Sequence, residues 1–167
     1  MNRVAAVRLV PWGEDDLWLV ERLMGEPAMT EHLGGPESPE KLADRQRRYA
    51  QPGSGMFKIV EEETGEAVGS VGFWDKDWRG ETVYEIGWSV LPEHQGRGIA
   101  GEATALAIEL VRAEGKHRYV HAFPSVDNAP SNAICRKLGF TLLGECDFDF
   151  PPGNQMRCND WQLELLE

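Results

Sequence analysis

The chain has 167 residues, of which 41% are hydrophobic and 27% charged, and its formal net charge is −11. This length predicts a single domain over residues 1–167 with a core of its own. The acidic balance argues against nonspecific binding to nucleic acid or to an anionic membrane surface, because both need a basic face. No apolar run approaches the length of a membrane span. We therefore expect neither nucleic acid nor a membrane among the partners.

The strand-like and helix-like patterns before residue 92 follow a simple order. A helix is predicted over residues 14–24, and a second one begins at Ser38, an N-cap residue followed by Pro39. Between them, residues 25–37 are rich in Gly and Pro but carry apolar side chains, so we interpret this lid segment as covering the substrate. The β-rich composition of residues 56–62 and 67–74 predicts a hairpin with its turn at 63–66, and a loop at 75–80 follows before the next strand. The predicted strands are residues 4–10, 56–62, 67–74 and 82–91.

The second half of the chain predicts helices at 99–115 and 128–139. The predicted strands there are residues 117–123, 140–150 and 157–166, the last two joined by a turn at 151–154. This order of elements is α+β, a mixed sheet with flanking helices. The cysteines Cys135, Cys146 and Cys158 form no C-x-x-C pair, which favours a reducing compartment. Arg8 interrupts the short apolar run near the N-terminus, which is untypical of a signal peptide, so we expect a cytoplasmic location.

A glycine-rich turn separates the strand ending at residue 91 from the long helix. Its sequence is Gln95-Gly96-Arg97-Gly98-Ile99-Ala100. Backbone N–H groups at a helix start have no intrahelical partner and lie at the positive end of the helix dipole, so an anion can bind there. The two glycines allow close approach of that anion, and Arg97 adds a positive charge. The alternative is a tight strand-to-helix turn that binds no ligand.

Two motifs resemble the GNAT family of N-acetyltransferases. The pattern Gln95-x-x-Gly98-x-Ala100 resembles the family's loop for the acetyl-CoA pyrophosphate. Residues 128–140, which run from an Asn to a Lys-Leu-Gly-Phe ending, resemble a later helix of the family. The resemblance implies a GNAT-like mixed, mostly antiparallel central sheet flanked by helices, with acetyl-CoA as co-substrate. The Asn-x-x-Ser form of the second motif resembles the branch that acetylates ribosomal-protein N-termini.

Further cofactor contacts follow from the same resemblance. Family members place the pantetheine arm beside the strand before the loop, here Trp88, Ser89 and Val90, where a backbone N–H faces the acetyl carbonyl. The alternative is that these residues simply pair with the next strand. Asn128 is expected to hydrogen-bond the pantetheine amides, or merely to cap its own helix. The cofactor set is therefore predicted to be Trp88, Ser89, Val90, Gln95, Gly96, Arg97, Gly98, Ile99, Ala100 and Asn128.

Glu85 is the candidate general base. Strand alternation places Glu85, between Val83 and Gly87, on the opposite face from Tyr84 and Ile86. Partial burial raises the pKa of a carboxyl group and makes it a useful base near neutrality. The alternatives are a structural carboxylate or a water chain in place of a direct base.

The proton donor is where the chain departs from the family pattern. Many members have Tyr seven positions after the helix-opening Asn, whereas this chain has Cys135 there. Ser131, one turn earlier, is the preferred candidate, and Cys135 is the other. Because the Tyr is missing, the alternative function is a CoA-binding regulatory or interaction module with little catalysis.

Two acidic-aromatic stretches, residues 73–78 (FWDKDW) and 147–150 (DFDF), suggest the acceptor. Carboxylates beside aromatic faces suit a cation. We therefore expect a small-molecule or peptide acceptor with a cationic primary amine, such as a peptide N-terminus, a polyamine or an aminosugar. The protein would act as a monomer or homodimer. No metal site is expected, because the histidines lack ligand spacing and His117 and His121, although on one predicted strand face, are too far apart to chelate.

Overall fold

The computed structural model describes residues 6–149 and 153–166. In these residues seven strands form one sheet in the order β1-β2-β3-β4-β5-β7-β6. Only the β4–β5 pair is parallel among the pairs described. The predicted mixed, mostly antiparallel sheet is thus confirmed. The strands are β1 (Val7–Pro11), β2 (Met56–Glu61), β3 (Ala67–Trp78), β4 (Glu81–Val90), β5 (Tyr119–Ala122), β6 (Thr141–Asp149) and β7 (Gln155–Glu164).

Four of the described helices match the predicted order, and the one-turn helix at residues 27–30, inside the lid segment, was not predicted. The helices are α1 (Leu17–Met24), α2 (Pro27–Thr30), α3 (Pro39–Tyr49), α4 (Ile99–Glu114) and α5 (Ala129–Lys137). Ser38 caps α3, because its side chain accepts from the Lys41 N–H at 3.3 Å. None of the described helices combines the length and apolarity needed to cross a membrane.

Two apolar clusters hold the layers together. The larger one packs the buried side of α4 on the sheet residues Val71, Tyr84 and Ile86, among others. The smaller one packs α1 and α3 with Trp12, Met56 and Leu91. Because neighbouring strand residues alternate in direction, Glu85 lies on the face of β4 that points away from α4. The candidate base therefore lies outside the main core.

The predicted loop at residues 75–80 is wrong. Strand β3 continues to Trp78 and pairs with β4 in an unbroken antiparallel register, from Gly69↔Val90 to Trp78↔Glu81. The chain reverses at Arg79 and Gly80, whose φ angles are 50° and 82°. Two successive residues with positive φ make a tight hairpin turn that suits twisted strands. Asp75, Lys76 and Asp77 therefore occupy strand positions and are not loop residues.

The parallel β4–β5 pair is short, and this opens the sheet. Its register contains only Tyr84↔Val120 and Glu85↔His121, so the rest of β4 towards Val90 separates from β5. Strand β5 begins at Tyr119, which leaves His117 before the strand. The prediction that His117 and His121 share a face is wrong, because His117 packs on the Tyr84 ring whereas His121 packs on Phe123. The predicted turn at 151–154 lies partly outside the described residues.

Candidate active site

A groove of about 640 Å³ runs from the end of β4 across the glycine turn to α5. We call it the cofactor groove. Its wall combines the splayed end of β4, the first turn of α4 and the start of α5. The lining contains all the predicted cofactor residues except Arg97, namely Trp88, Ser89, Val90, Gln95, Gly96, Gly98, Ile99, Ala100 and Asn128.

The glycine turn presents a row of backbone N–H groups to this groove. Gly96 and Gly98 have φ angles of 78° and 77°, a conformation that glycine adopts without steric cost. The first hydrogen bond of α4 runs from the Glu102 N–H to the Gly98 carbonyl at 3.1 Å. Within the described chain, no N–H from residues 96–101 donates to a backbone carbonyl outside the helix. Such a row at the positive end of a helix suits a phosphate.

The ends of this row differ by one residue from the prediction. The Gln95 N–H donates to the Pro92 carbonyl at 3.3 Å, and the Gln95 side chain donates to the Val90 carbonyl at 2.9 Å. Gln95 therefore fastens the turn to the end of β4 and does not offer its N–H to a ligand. At the other end the row gains Gly101, which the sequence motif did not single out.

The prediction for Arg97 is corrected by the structure. Its guanidinium lies 2.7 Å from Oε2 of Glu61, whose side chain is only 6% exposed. This contact is an ion pair without the alignment of a hydrogen bond. Because a buried carboxylate needs a compensating charge, the Arg97 side chain pairs with Glu61 on strand β2, and only the backbone of Arg97 belongs to the row of N–H groups.

A second space of about 300 Å³ lies on the face of the sheet away from α4. We call it the acceptor cavity. Its lining is dominated by methionine and aromatic side chains. Among the described residues Glu85 is the one carboxylate in this lining. The apolar residues that contribute atoms to this lining are Met24, Met29, Leu33, Tyr49, Met56, Trp74, Ile86, Trp88, Ala122, Phe123, Pro124, Phe148, Met156 and Cys158.

The cofactor groove and the acceptor cavity adjoin where β4 and β5 separate. We call the residues that line both spaces the junction. They are Met29, His32, Trp88, Ser89, Asn128 and Ser131. Met29 and His32 belong to the lid segment, so the predicted lid does border the site. A thioester at the junction would lie between a phosphate site and a cavity containing a carboxylate.

Glu85 has the environment of a base. Its side chain is 16% exposed, and the Trp74 indole N–H donates to Oε1 at 3.1 Å. Burial raises the pKa of Glu85 above its ordinary value, while Lys76, the Trp74 hydrogen bond and His121 act in the opposite direction. The Lys76 ammonium lies 3.9 Å from the same oxygen. The raised pKa brings the carboxylate nearer to the range in which it accepts protons at neutral pH.

The two candidate proton donors are placed very differently. Ser131 lies in the first turn of α5 and lines both spaces. Cys135 is fully buried in the main core, and burial raises the pKa of its thiol to about 12. It lines neither space, so the structure argues against Cys135 as the acid. Asn128 caps α5, because Oδ1 accepts from the Ser131 N–H at 3.2 Å.

The aspartates of the two acidic-aromatic stretches do not border the acceptor cavity. Asp75 is held by Lys116 at 2.7 Å and His117 at 2.8 Å. Asp77 accepts from Thr82. Strand alternation turns these carboxylates away from the face that holds Trp74 and Lys76.

The aspartates of the second stretch also lie outside the cavity. Asp147 is 72% exposed and pairs with Arg157, while Asp149 accepts from the Gly153 N–H. Trp74 and Phe148 do line the cavity, and Phe150 lies outside the described residues.

Sequence reasoning missed a buried pair beside Glu85. His121, next to Glu85 in the sheet register, contacts Asp160 through Nδ1 and Oδ1 at 2.6 Å. Both residues are buried, at 2% and 1% exposure. Part of the signal was available, since His121 lies between the apolar residues Val120 and Ala122, but Asp160 follows Asn159 in a largely polar strand. Only the sheet order, with β7 beside β5, brings the two together.

Comparison with known proteins supports the family. A model of the acetyltransferase (GNAT) domain matches residues 6–141. The uncharacterized N-acetyltransferase YnaD of Bacillus subtilis strain 168 is 28% identical over 111 residues, which cover 66% of this chain and 64% of the relative. The chain thus spans less than two thirds of that relative's length.

Solved structures show the same fold. A GNAT acetyltransferase from Bacillus anthracis superposes with a TM-score of 0.80 at 19% identity, over 99% of both chains. The ribosomal-protein-S5-alanine acetyltransferase of Vibrio fischeri gives 0.75 at 17% identity, over 98% of this chain and 94% of that one. YncA of Salmonella typhimurium, solved with its cofactor acetyl-CoA, gives 0.68 at 22% identity, over 99% and 96%. This chain belongs to the GNAT family of acetyltransferases.

Proposed function

We propose that the protein transfers an acetyl group from acetyl-CoA to a primary amine. The observation that carries this proposal is the junction, where the cofactor groove meets the acceptor cavity. The groove has unpartnered backbone N–H groups at its phosphate end, and the cavity has the Glu85 carboxylate on its wall. An amine nitrogen and a thioester carbonyl would therefore meet between Glu85 and the start of α5.

Each step of the transfer has a group in this geometry. Glu85 accepts the proton of the ammonium, which leaves a neutral amine able to attack the carbonyl carbon. The backbone at Trp88, Ser89 and Val90, freed by the separation of β4 from β5, supplies an N–H for the carbonyl oxygen. As the carbon–sulfur bond breaks, Ser131 donates its hydroxyl proton to the departing sulfur and regains a proton from the attacking nitrogen, which loses it on becoming the amide. The products are an N-acetylated amine and the free thiol of CoA.

The cavity lining favours an amine on a compact apolar body. Methionine side chains adapt to apolar ligands of different shape, and the aromatic rings add large apolar surfaces. The Arg45 guanidinium, which also lines the cavity, is neutralised by a bidentate pair with Glu37. Glu85 is left to attract the ammonium. A polyamine or an aminosugar would leave several polar groups without partners here, so an apolar-bodied amine or a peptide N-terminus with an apolar first residue fits better.

A peptide acceptor is compatible with the ribosomal-protein branch suggested by Asn128-x-x-Ser131. Asn128 and Ser131 both lie at the junction, so they are placed to contact the cofactor and not only to form a helix cap. The fold is shared by proteins with other acceptors. We therefore propose the ribosomal-protein branch on the Asn128-x-x-Ser131 motif and not on the fold.

Thiol release from acetyl-CoA, measured with a panel of amines, tests the proposal. The panel would contain phenethylamine, peptides beginning with Met or Ser, spermidine and an aminoglycoside. We expect the highest kcat/KM for phenethylamine or the Met peptide. Higher values for spermidine or the aminoglycoside would contradict the proposed acceptor. Acetyl-CoA binding without turnover of any amine would instead support a CoA-binding regulatory module, the alternative raised by the missing Tyr.

A further inference from the structure

His121 and Asp160 form a polar pair beneath the acceptor cavity. His121 is the register partner of Glu85 on the adjacent parallel strand, and neighbouring strands lie about 4.8 Å apart. Because partners in a parallel register point to the same face, the imidazole lies beside the Glu85 carboxylate. Phe123, which lines the acceptor cavity, stacks on the imidazole at a centroid distance of 5.7 Å. The ring is therefore fixed from one side by Asp160 and from another by Phe123.

Asp160 is held as an anion. Burial acts to raise its pKa, but hydrogen bonds from His121 and from the Trp78 indole outweigh burial and hold the pKa below its ordinary value. The Trp78 bond measures 3.0 Å, and the Arg79 guanidinium lies 3.9 Å from Oδ2. Gln162 lies 3.4 Å from Nε2 of His121. Its amide has both a donor and an acceptor, so it can hydrogen-bond to either the neutral or the protonated imidazole.

The charged groups near Glu85 show what the His121 imidazole can contribute. Lys76 lies 3.9 Å from Glu85 and also packs over the rings of Phe148, Trp78 and Phe123. Lys76 and Arg79 together balance the two carboxylates, Glu85 and Asp160. The His121 imidazole lies between these two carboxylates, and an imidazole can carry a positive charge. The titratable and charged groups that face Glu85 or share its cavity are Lys76, Arg79, His121, Cys158, Asp160, Arg45, Glu37 and His32.

We propose that His121, anchored by Asp160, is a positioning residue that keeps the Glu85 carboxylate ionised and oriented to accept the proton of the acceptor amine. Glu85 on β4 and Asp160 on β7 carry like charges on either side of β5, and His121 is the β5 side chain between them. The positive edge of the imidazole separates them and favours the ionised form of Glu85. This inference rests on the proposed function, because it concerns how Glu85 acts as the base of that reaction.

A histidine NMR titration of the folded protein tests this inference without relying on turnover. If His121 favours the ionised form of Glu85, then Glu85 must favour protonation of His121 to the same extent, because linkage is reciprocal. In Glu85→Gln the midpoint of the His121 titration should move to lower pH. His117, which pairs with Asp75 on the other side of the sheet, is the internal control and should titrate unchanged. An unchanged His121 midpoint in Glu85→Gln would overturn the proposal.

The pH–rate profile of His121→Asn supplies the functional readout. Asn retains a donor for Asp160 but has no charge to offer to Glu85. The ratio of kcat/KM at about pH 8.5 to that at about pH 6 should rise roughly threefold to tenfold, and His117→Asn should leave the ratio unchanged. In a Glu85→Gln background, His121→Asn should have no further effect on the profile. A wild-type profile in His121→Asn would refute the role of His121 alone, whereas absence of turnover in the wild type would refute the proposed function.

Discussion

The phosphate end of the cofactor groove is formed by the backbone of one short segment, whereas the acceptor cavity is formed by residues from strands β2 to β7, helices α1, α3 and α5, and the lid segment. In the groove, the N–H groups of residues 96–101 follow one another along the chain. In the cavity, Trp74, Glu85 and Phe148 are far apart in sequence and meet only because their strands share a sheet. The groove thus depends on local conformation, and the cavity depends on topology.

This difference predicts how each region responds to change. A substitution in the groove should change the affinity for acetyl-CoA, because it hinders the approach of the pyrophosphate to the backbone or changes the charge beside it. A substitution in the cavity should act on turnover or on its pH dependence, because it alters the electrostatic surroundings of Glu85. Variants that change only acetyl-CoA affinity, or only turnover, therefore test whether the groove binds the cofactor and the cavity supports the chemical step.

The largest effect is expected for Glu85→Gln. Gln still accepts the Trp74 hydrogen bond but cannot take up the amine proton, so kcat should fall by about 10²–10⁴. In the wild type the base works only when it is ionised, so activity falls as the pH drops through the raised pKa of Glu85. This acidic limb should disappear in the variant, while calorimetry should show unchanged acetyl-CoA affinity. Near-full activity in the variant would assign the base to water or to another residue.

A smaller effect, on affinity alone, is expected for Gly101→Glu. Gly101 lies in the first turn of α4 with no atom within 4 Å of the position of an added Cβ. A carboxylate there suits the helix start but repels the pyrophosphate, so acetyl-CoA affinity should fall roughly 10- to 100-fold, or about 1.4–2.8 kcal/mol. Thermal melting should show a protein at least as stable as the wild type.

Gly101→Ala is the matched control for this variant, since it adds a side chain without charge and should retain binding. Gly98→Val is a less clear test, because a φ of 77° at Gly98 strains any side chain at that position. Full acetyl-CoA affinity in Gly101→Glu would place the pyrophosphate elsewhere.

A modest effect is expected for Trp74→Phe. The lost indole N–H leaves the Glu85 carboxylate with one donor fewer, so the pKa of Glu85 should rise further. The value of kcat/KM near pH 6 should fall roughly threefold to tenfold, while the value at high pH should change little. Trp12→Phe is the control, because Trp12 donates to Gln46 at 2.7 Å away from both spaces. Equal losses at all pH values in Trp74→Phe would show that Trp74 acts by packing alone.

No effect on the acceptor is expected for the double variant Asp75→Asn with Asp77→Asn. The sequence suggested that these carboxylates attract the amine, but they point away from the acceptor cavity. The KM for the amine should match the wild-type value at low and high salt. A salt-sensitive rise in KM would show instead that these aspartates attract the acceptor amine.

The sequence alone predicted the elements whose signals lie in neighbouring residues. Apolar periodicity and capping residues predicted the helix α4 and the cap at Ser38, and the glycine spacing predicted the tight turn before α4. The order of elements, together with the resemblance to the family, predicted the mixed sheet. These features need only the properties of neighbouring residues, and for that reason they were predictable.

The features that were missed depend on contacts between distant residues. Residues 75–80 were predicted as a loop, but cross-strand pairing with β4 keeps residues 75–78 in β3. Arg97 appeared ready to bind phosphate, yet buried Glu61 on β2 attracts it. Cys135 occupies the family's Tyr position, but its helix turns it into the core. No local signal indicates which carboxylate a given side chain will meet.

A crystal structure with acetyl-CoA bound would test the central claim most directly, namely that one space holds the cofactor and the other holds the amine. The account predicts pyrophosphate oxygens within hydrogen-bond distance of the N–H groups of residues 96–101. It also predicts the acetyl carbonyl at the junction, beside Ser89, with its carbonyl carbon accessible from the acceptor cavity. Pyrophosphate bound away from α4, or an acetyl group separated from the cavity that contains Glu85, would contradict it.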